Sequence, residues 1–214
     1  MSIDWIATVL NSPAITFQGN SLSMAEVFGF ATGLICVWLT AQRNIWNFPL
    51  GILNCLLLMF LFFEARLFAD TALQFVFITL GVIGWWQWLA GRKRDEYPIE
   101  ALSGRGVAIS VAVVVAGTGF LFLLLTTLKG SVPILDAFIT SASLVAQWLL
   151  NARKLQTWYF WIAVDVVSIP LYAHKDLWLI ATLYAVFLVL CVIGLRRWQA
   201  ATASGRPVRA GAVA

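Results

Sequence analysis

The chain has 214 residues, of which 61% are hydrophobic and 11% are charged, and its formal net charge is +4. Soluble domains carry about 25% charged and about 45–50% apolar residues. A water-soluble globule of this length could not bury so much apolar surface. The composition therefore argues against a cytosolic enzyme and indicates a protein embedded in the lipid bilayer.

The cysteines and the N-terminus argue against a disulfide-bonded protein, a zinc protein and a protein with a cleaved signal peptide. Cys36, Cys55 and Cys191 lie inside apolar runs, and no CxxC spacing occurs. An odd number of dispersed thiols argues against a disulfide framework and against a zinc site, and we expect no metal and no cofactor. Asp4 is the only charged residue before Glu26, so we expect no cleavable signal peptide.

Long apolar runs dominate the chain. A membrane-spanning helix needs roughly 20 mostly apolar residues, and seven segments meet this length approximately. We predict an all-α integral membrane protein with seven transmembrane helices, preceded by a short interfacial helix at Ile3–Leu10. The seven predicted helices are Glu26–Gln42, Trp46–Phe63, Thr71–Ala90, Val107–Leu128, Ile134–Leu150, Thr157–Ala173 and Leu177–Leu195.

The basic residues predict an orientation. With seven spans, one side of the membrane carries eleven of the lysines and arginines, and the other side carries only Arg66, Lys129 and Lys175. Cytoplasmic loops are enriched in Lys and Arg. The N-terminus is therefore predicted outside the cell and the C-terminus in the cytoplasm.

An internal repeat appears when the chain is shifted by 110 residues. Leu73, Val76, Phe77 and Leu80 then align with identical residues, as do Val82-Ile83-Gly84 and Trp88. Further upstream, Trp46 is matched to Trp158, which requires a small insertion. Three helices therefore resemble three later ones, with one connecting helix between them. Such parallel repeats are typical of transporters, with the substrate site between them near mid-membrane.

This 3+1+3 plan gives five predicted regions. They are an N-terminal interfacial segment (1–21), a first three-helix repeat (22–90), a connector helix (107–128), a second three-helix repeat (133–198) and a disordered cytoplasmic tail (199–214).

Asp165 is the leading candidate for a functional residue, because an acidic group inside a span costs about 2.5–3.5 kcal/mol on insertion scales. Helical spacing places Trp158, Trp161, Ser168 and Tyr172 on the same face. A carboxylate framed by aromatic rings suits a cationic aromatic ligand. Alternatively, Asp165 is a structural partner for a polar group on another helix, and Trp158 is an interface anchor.

Amide side chains provide further candidates. Asn47 and Asn54 share one face of the second predicted helix, and Gln147 and Asn151 lie along the fifth. An amide both donates and accepts hydrogen bonds, as ribose hydroxyls or a carboxamide require. The alternative is that these residues only hold helices together, with Asn151 as the residue that ends its helix.

The third predicted helix carries Asp70 and Gln74 near its outer end, where Gln74 would line an entrance. The repeat position of Gln74 is occupied by Tyr184, which can stack and form a hydrogen bond. A packing or lipid-facing tyrosine is the alternative reading.

Two other functions are compatible with a helical membrane protein. A membrane enzyme acting on lipids would need an acid–base pair such as Asp70 with Glu64, but these residues are not accompanied by other candidate metal ligands. A scaffold subunit would use its polar faces to bind partner helices. The sequence contains no P-loop, HExxH motif or Ser/His/Asp set, which argues against ATP-driven transport and against enzymatic catalysis.

Two stretches resemble the PnuC-type vitamin transporters, a family best known for nicotinamide riboside, over about residues 22–200. The first runs from Trp46-Asn47-Phe48-Pro49 through Leu53-Asn54 and Leu73-Gln74 to Gly84-Trp85-Trp86-Gln87-Trp88. The second runs from Trp158-Tyr159-Phe160-Trp161 through Val164-Asp165 and Ser168-Ile169-Pro170 to Leu183-Tyr184 and Gly194.

The resemblance implies import by facilitated diffusion across the bacterial inner membrane, with trapping by cytoplasmic phosphorylation. It also implies a homo-oligomer, with a trimer as the expected form, and no nucleic-acid partner. The expected ligand is nicotinamide riboside, with thiamine, riboflavin or a nucleoside as alternatives. The expected binding residues are Asn54, Gln74, Gln147, Trp158, Trp161, Asp165 and Tyr184, with Asn47, Asp70, Asn151 and Tyr172 as additional candidates.

Overall fold

The structure is a computed structural model that describes residues 12–17, 20–64, 66, 68–93, 98–127 and 133–203. Within these residues the chain forms one β-hairpin followed by seven α-helices. The strands are β1 (Pro13–Phe17) and β2 (Asn20–Ser23), and the helices are α1 (Met24–Ala41), α2 (Asn47–Glu64), α3 (Phe68–Lys93), α4 (Gly104–Thr127), α5 (Pro133–Asn151), α6 (Thr157–His174) and α7 (Trp178–Ala203).

The seven helices match the seven predicted apolar segments, so the prediction of a helical membrane fold is confirmed. Five of them, α2 to α5 and α7, are long and apolar enough to cross a membrane. In α1 the apolar stretch is shorter, covering Val27–Ala41. Helix α6 is not among the five, and it carries Asp165, Ser168 and His174 within 18 residues.

The hairpin is a difference from the all-α prediction. Strands β1 and β2 are antiparallel, with Phe17 opposite Asn20 and Pro13 opposite Ser23. Ile15, Thr16 and Phe17 favour strands, and pairing satisfies backbone groups that a short extended segment would otherwise leave open. The predicted interfacial helix at Ile3–Leu10 lies outside the described residues, as does most of the predicted tail.

Six of the helices form a closed ring. Neighbouring contacts run from α1 to α2, α2 to α3, α3 to α5, α5 to α6, α6 to α7, and from α7 back to α1. Helix α4 packs on α5 outside this ring. The apolar faces of α4 remain exposed, as at Val115 and Phe120, which is expected of a helix whose solvent is lipid.

Two matching clusters of aromatic residues hold α2 against α3 and α6 against α7. Phe48 meets Trp88 edge to face, with ring centroids 5.1 Å apart, and Trp158 meets Trp198 in the same way at 5.5 Å. A Cβ added at Gly84 would overlap Phe48, and one at Gly194 would overlap Trp158. These contacts recur at a spacing of 110 residues, so the counterpart of Trp158 is Phe48.

The sequence match of Trp46 to Trp158 is therefore wrong. Trp46 is 66% exposed, in the turn before α2, whereas Phe48 and Trp158 are both buried in one apolar cluster. With Phe48 as the counterpart, the spacing of 110 residues holds without an insertion.

The turns after α1 and α5 also correspond. Arg43 and Arg153 both have positive φ values, of 57° and 55°. The following residues close the turn in the same way: Asn44 N–H donates to Leu39 O at 2.9 Å, and Lys154 N–H donates to Leu149 O at 2.8 Å. This is the hydrogen-bond pattern of a helix that ends with one left-handed residue. Arg43 and Arg153 thus mark the ends of α1 and α5.

Candidate functional site

A cavity of about 350 Å³ lies inside the ring of six helices. Each helix of the ring contributes lining residues. Eight of the eleven predicted site residues line this cavity: Asn47, Asn54, Gln74, Gln147, Trp158, Trp161, Asp165 and Tyr184. Asp70, Asn151 and Tyr172 do not line it.

Asp165 lies halfway along α6 and is 3% exposed. Its Oδ2 atom is buried and has no hydrogen-bond partner in the described part of the chain, while the Cys191 thiol of α7 lies close enough to form a hydrogen bond with the carboxylate. Among the lining residues that the structure describes, Asp165 is the one charged residue. A buried carboxylate without a countercharge has a high desolvation cost.

The two tryptophans of α6 have different surroundings. The Trp158 ring is 1% exposed and is packed against Trp198 and Gly194, so it forms a rigid wall. Trp161 is only partly buried and touches both apolar core clusters. Trp161 therefore offers the more accessible indole surface beside Asp165.

Tyr184 connects the cavity to a second tyrosine. Its ring stacks on Tyr172, with centroids 5.3 Å apart and an interplanar angle of 12°. Tyr172 in turn lies beneath Lys175, whose Nζ is 5.8 Å from the ring centroid and 3.6 Å from Asp136 Oδ1. Tyr172 thus supports Tyr184 from outside the cavity.

Asn54 uses its amino group to hold α2 against α1. Its Nδ2 donates to Gly29 O at 2.8 Å and to Thr32 Oγ1 at 2.7 Å. Because these bonds engage both N–H groups, the amide oxygen is the part of Asn54 left for a ligand.

Gln147 and Asn151 form a short relay between α5 and α3. Gln147 Nε2 donates to Asn151 Oδ1 at 3.1 Å, and Asn151 Nδ2 donates to Leu80 O at 2.8 Å. Asn151 is therefore a buried support behind Gln147. Asn47 is also largely committed, since its Nδ2 donates to Asn44 O at 2.7 Å.

Gln74 and Asp70 lie on α3 at different depths. Gln74 lines the cavity nearly two turns after the start of α3. Asp70 is exposed in the first turn of α3. The structure thus separates these two candidates.

Several lining residues had not been singled out from the sequence. Cys36, Cys55 and Cys191 all line the cavity, as do Thr40 and Ser143. Ser143 precedes Gln147 by one helical turn, so the spacing rule applied to Gln147 would have found it. The thiols gave no such signal, because cysteine in an apolar run resembles any small core residue. Among the described residues, no group of three acidic, thiol or imidazole side chains is placed to hold a metal ion.

Comparisons with known proteins agree with this architecture. The sequence model of the family described as nicotinamide mononucleotide transporter matches residues 23–200. The nicotinamide riboside transporter PnuC of Escherichia coli is 23% identical, with 84% of this chain and 87% of that protein covered. The riboflavin/roseoflavin transporter RibM of Streptomyces davaonensis is 26% identical, with 96% and 99% covered.

A solved structure shares the fold. The crystal structure of the vitamin B3 transporter PnuC matches with a TM-score of 0.68 at 23% identity, covering 86% of this chain and 83% of that one. The resemblance inferred from the sequence motifs is confirmed, and the similar proteins are membrane transporters rather than enzymes. The chain is therefore a multi-pass membrane protein that belongs to the nicotinamide mononucleotide transporter family.

Proposed function

We propose that this protein imports nicotinamide riboside by facilitated diffusion, for use in NAD synthesis. The observation that carries the proposal is the unpartnered Asp165 carboxylate in a cavity with aromatic walls. Nicotinamide riboside has a positively charged pyridinium ring. Such a ring supplies the countercharge that Asp165 lacks and a flat surface for stacking.

The ligands named for the family and its relatives differ in net charge, so the negative charge of the cavity favours some of them over others. No lysine, arginine or histidine occurs among the described lining residues, so a phosphate group would meet Asp165 without a compensating cation. A mononucleotide is disfavoured for this reason. Riboflavin is uncharged and would leave the carboxylate unpaired, at the cost of burying an isolated charge.

Each lining residue has a proposed role. Asp165 faces the ring charge, Trp161 stacks on the ring, and Trp158 stacks from a fixed position in the wall. The hydroxyls and the carboxamide of the ligand meet the remaining polar groups, which are Asn54, Gln74, Gln147 and Tyr184, with Asn47 as a further contact. Asn151 and Tyr172 support Gln147 and Tyr184, and Asp70 lies outside, where its charge attracts cations.

We propose the 3+1+3 arrangement for the whole chain, with α1–α3 and α5–α7 as parallel repeats and α4 as the connector. The matching contacts of Phe48 with Trp88 and of Trp158 with Trp198 support it. The distribution of basic residues supports an outer N-terminus and a cytoplasmic C-terminus in the inner membrane. The family resemblance supports a homotrimer.

The driving force follows from the charge of the ligand. A monocation gains about 2.3 kcal/mol for each 100 mV of inside-negative potential that it crosses, so import needs no hydrolysis of ATP. Phosphorylation in the cytoplasm then converts the cation into an anion for which the cavity has no partner. The ligand would in this way be trapped.

The test is uptake of labelled nicotinamide riboside into liposomes that contain the purified protein, with no imposed ion gradient. We expect saturable uptake that reaches the same level with and without an ionophore. Uptake abolished by the ionophore would contradict facilitated diffusion, and a complete lack of uptake would contradict the substrate.

Thiamine is a second candidate, because it also carries a cationic aromatic ring and Asp165 does not separate the two. Riboflavin is a third, because a similar protein is named for it. Competition by unlabelled thiamine and riboflavin in the same uptake experiment ranks the three ligands. We expect nicotinamide riboside to compete best.

A further inference from the structure

We propose that Thr32 and Asn151 are positioning residues that fix which end of two amides, Asn54 and Gln147, faces the ligand. Neither positioning residue lines the cavity. Both amides then present their oxygen atoms, so the cavity selects a ligand that offers hydrogen-bond donors. The inference rests on the proposed function, which it extends to the hydrogen-bonding pattern of the ligand.

The orientation of Asn54 follows from what surrounds its amino group. One partner of Asn54 Nδ2 is a backbone carbonyl, Gly29 O, which can only accept. The other partner is the Thr32 hydroxyl, which is 2.7 Å from Phe28 O and 3.2 Å from Gly29 O. Because Thr32 donates its one proton to a carbonyl of its own helix, it can only accept from Asn54. An inverted amide would place an oxygen against acceptors, so the oxygen of Asn54 faces the cavity.

The orientation of Gln147 follows in the same way from Asn151. Leu80 O accepts from Asn151 Nδ2, and as a backbone carbonyl it can only accept. Asn151 must therefore turn its oxygen to Gln147, and this oxygen accepts from Gln147 Nε2. Gln147 therefore turns its amide oxygen away from Asn151, where the oxygen is an acceptor for the ligand next to the second N–H of Nε2.

The site of Asn151 is built to hold this orientation. Asn151 is 3% exposed, and a Cβ added at Gly84 would overlap its side-chain oxygen. Its backbone carbonyl also accepts from Trp88 Nε1 at 3.2 Å. Contacts with α3 thus fix the orientation of the Asn151 side chain. Through its hydrogen bond, Asn151 in turn fixes the orientation of the Gln147 amide at the cavity.

The consequence is a wall of acceptors. Asn54 and Gln147 present amide oxygens, and Asp165 presents a carboxylate oxygen without a partner. Hydroxyl groups and a carboxamide NH₂ are donors that match such a wall. A ligand edge that consists only of acceptors, such as a carboxylate or a phosphate, would leave these oxygens unpaired and opposed.

The test is a double-mutant cycle between Thr32→Val and Asn54→Ala, read as the dissociation constant of nicotinamide riboside from tryptophan fluorescence. Thr32→Val keeps the shape of the side chain but removes one of the two acceptors that fix the orientation of Asn54 and leaves only Gly29 O. We expect binding to weaken about tenfold in the presence of Asn54 and less than about twofold in its absence. Thr32→Ser, which retains the hydroxyl, should bind like the unmodified protein.

Equal losses with and without Asn54, or a loss in Thr32→Ser as large as that in Thr32→Val, would overturn the inference. Asn151→Ala with Gln147→Ala provides an independent second cycle with the same expected non-additivity, and additive losses there would also count against it. An unmodified protein that does not bind nicotinamide riboside but binds riboflavin would instead reject the proposed substrate. The cycles would then be measured with riboflavin.

Discussion

At the residue scale, the two proposed repeats differ at three pairs of positions that line the cavity. Counterparts lie 110 positions apart, so Asp165 corresponds to Cys55, Tyr184 to Gln74, and Trp161 to Gly51. All six line the cavity. The second repeat therefore supplies charge and aromatic surface, whereas the first supplies an amide, a thiol and a glycine. The contacts that hold the helices together recur, whereas the side chains of these three cavity pairs differ.

Replacing Asp165 by Asn tests the charge. We expect the dissociation constant of nicotinamide riboside to rise at least about tenfold, which corresponds to about 1.4 kcal/mol, because the ring charge loses its counterion. Isothermal titration measures the change. Asp70→Asn is the matched control, since Asp70 is exposed and does not line the cavity. A loss of the same size for uncharged riboflavin would mean that Asp165 is only architectural.

Gly194→Ala tests the packing that fixes Trp158. The added Cβ would overlap the Trp158 ring, and overpacking of this kind costs about 1–3 kcal/mol. We expect a lower melting temperature in detergent and weaker ligand binding. Gly119→Ala is the control, because a Cβ there meets nothing within 4 Å. Equal melting temperatures for the two variants would contradict the packing role.

At the scale of elements, the α5–α6 turn is strapped by the segment that precedes α4. Glu100 N–H donates to Arg153 O at 3.2 Å, and Leu155 N–H donates to Glu100 O at 2.9 Å. Lys154 forms an ion pair with the Glu100 carboxylate, and Leu102 N–H donates to Gln156 Oε1 at 2.8 Å. These contacts join the segment before α4 to the turn between α5 and α6.

The ion pair predicts a pH dependence. The Lys154 hydrogen bond and charge hold the pKa of Glu100 below its ordinary value, so the stabilisation is present above about pH 4.3 and is lost as the pH falls through the lowered pKa. Because the pair is exposed, the effect is small, below about 1 kcal/mol. Thermal melts at pH 7 and pH 3.5 should show a larger decrease for the unmodified protein than for Glu100→Gln. Identical decreases would contradict the coupling.

The elements differ in how far the sequence predicts them. Apolar length located all seven helices, because a bilayer-embedded helix must satisfy its backbone internally. Their ends were less certain: α7 continues to Ala203, past Arg196 and Arg197, because exposed charges do not stop a helix. The hairpin was missed, since two strands of five and four residues give little periodicity.

The site was partly predictable for a related reason. Polar residues are so costly in a span that Asp165, Asn54, Gln74 and Gln147 stood out from the sequence. The direction in which each amide points depends on backbone carbonyls such as Leu80 O, which lies far from Asn151 in the chain. Side-chain spacing along a single helix carries no information on such contacts.

At the scale of the whole molecule, six helices form the closed ring and α4 lies outside it. Under the proposed topology the seven helices each cross the membrane, so the two ends of the chain lie on opposite sides. His174 and Ser103 are both exposed and lie on opposite sides in this arrangement. A membrane-impermeant thiol reagent applied to intact cells should label His174→Cys and not Ser103→Cys. The reverse pattern would mean that the orientation is inverted. Equal labelling of both positions would contradict the three membrane crossings, α4 to α6, that separate them.

The most direct measurement is an experimental structure of the protein with nicotinamide riboside bound. We predict ligand density inside the helix ring, with the pyridinium ring within about 6 Å of the Trp161 ring and next to the Asp165 carboxylate. Ligand density outside the ring of helices would contradict the proposal that Asp165 binds the cationic group of the ligand. A bound ligand whose pyridinium ring is turned away from Asp165 would contradict it as well.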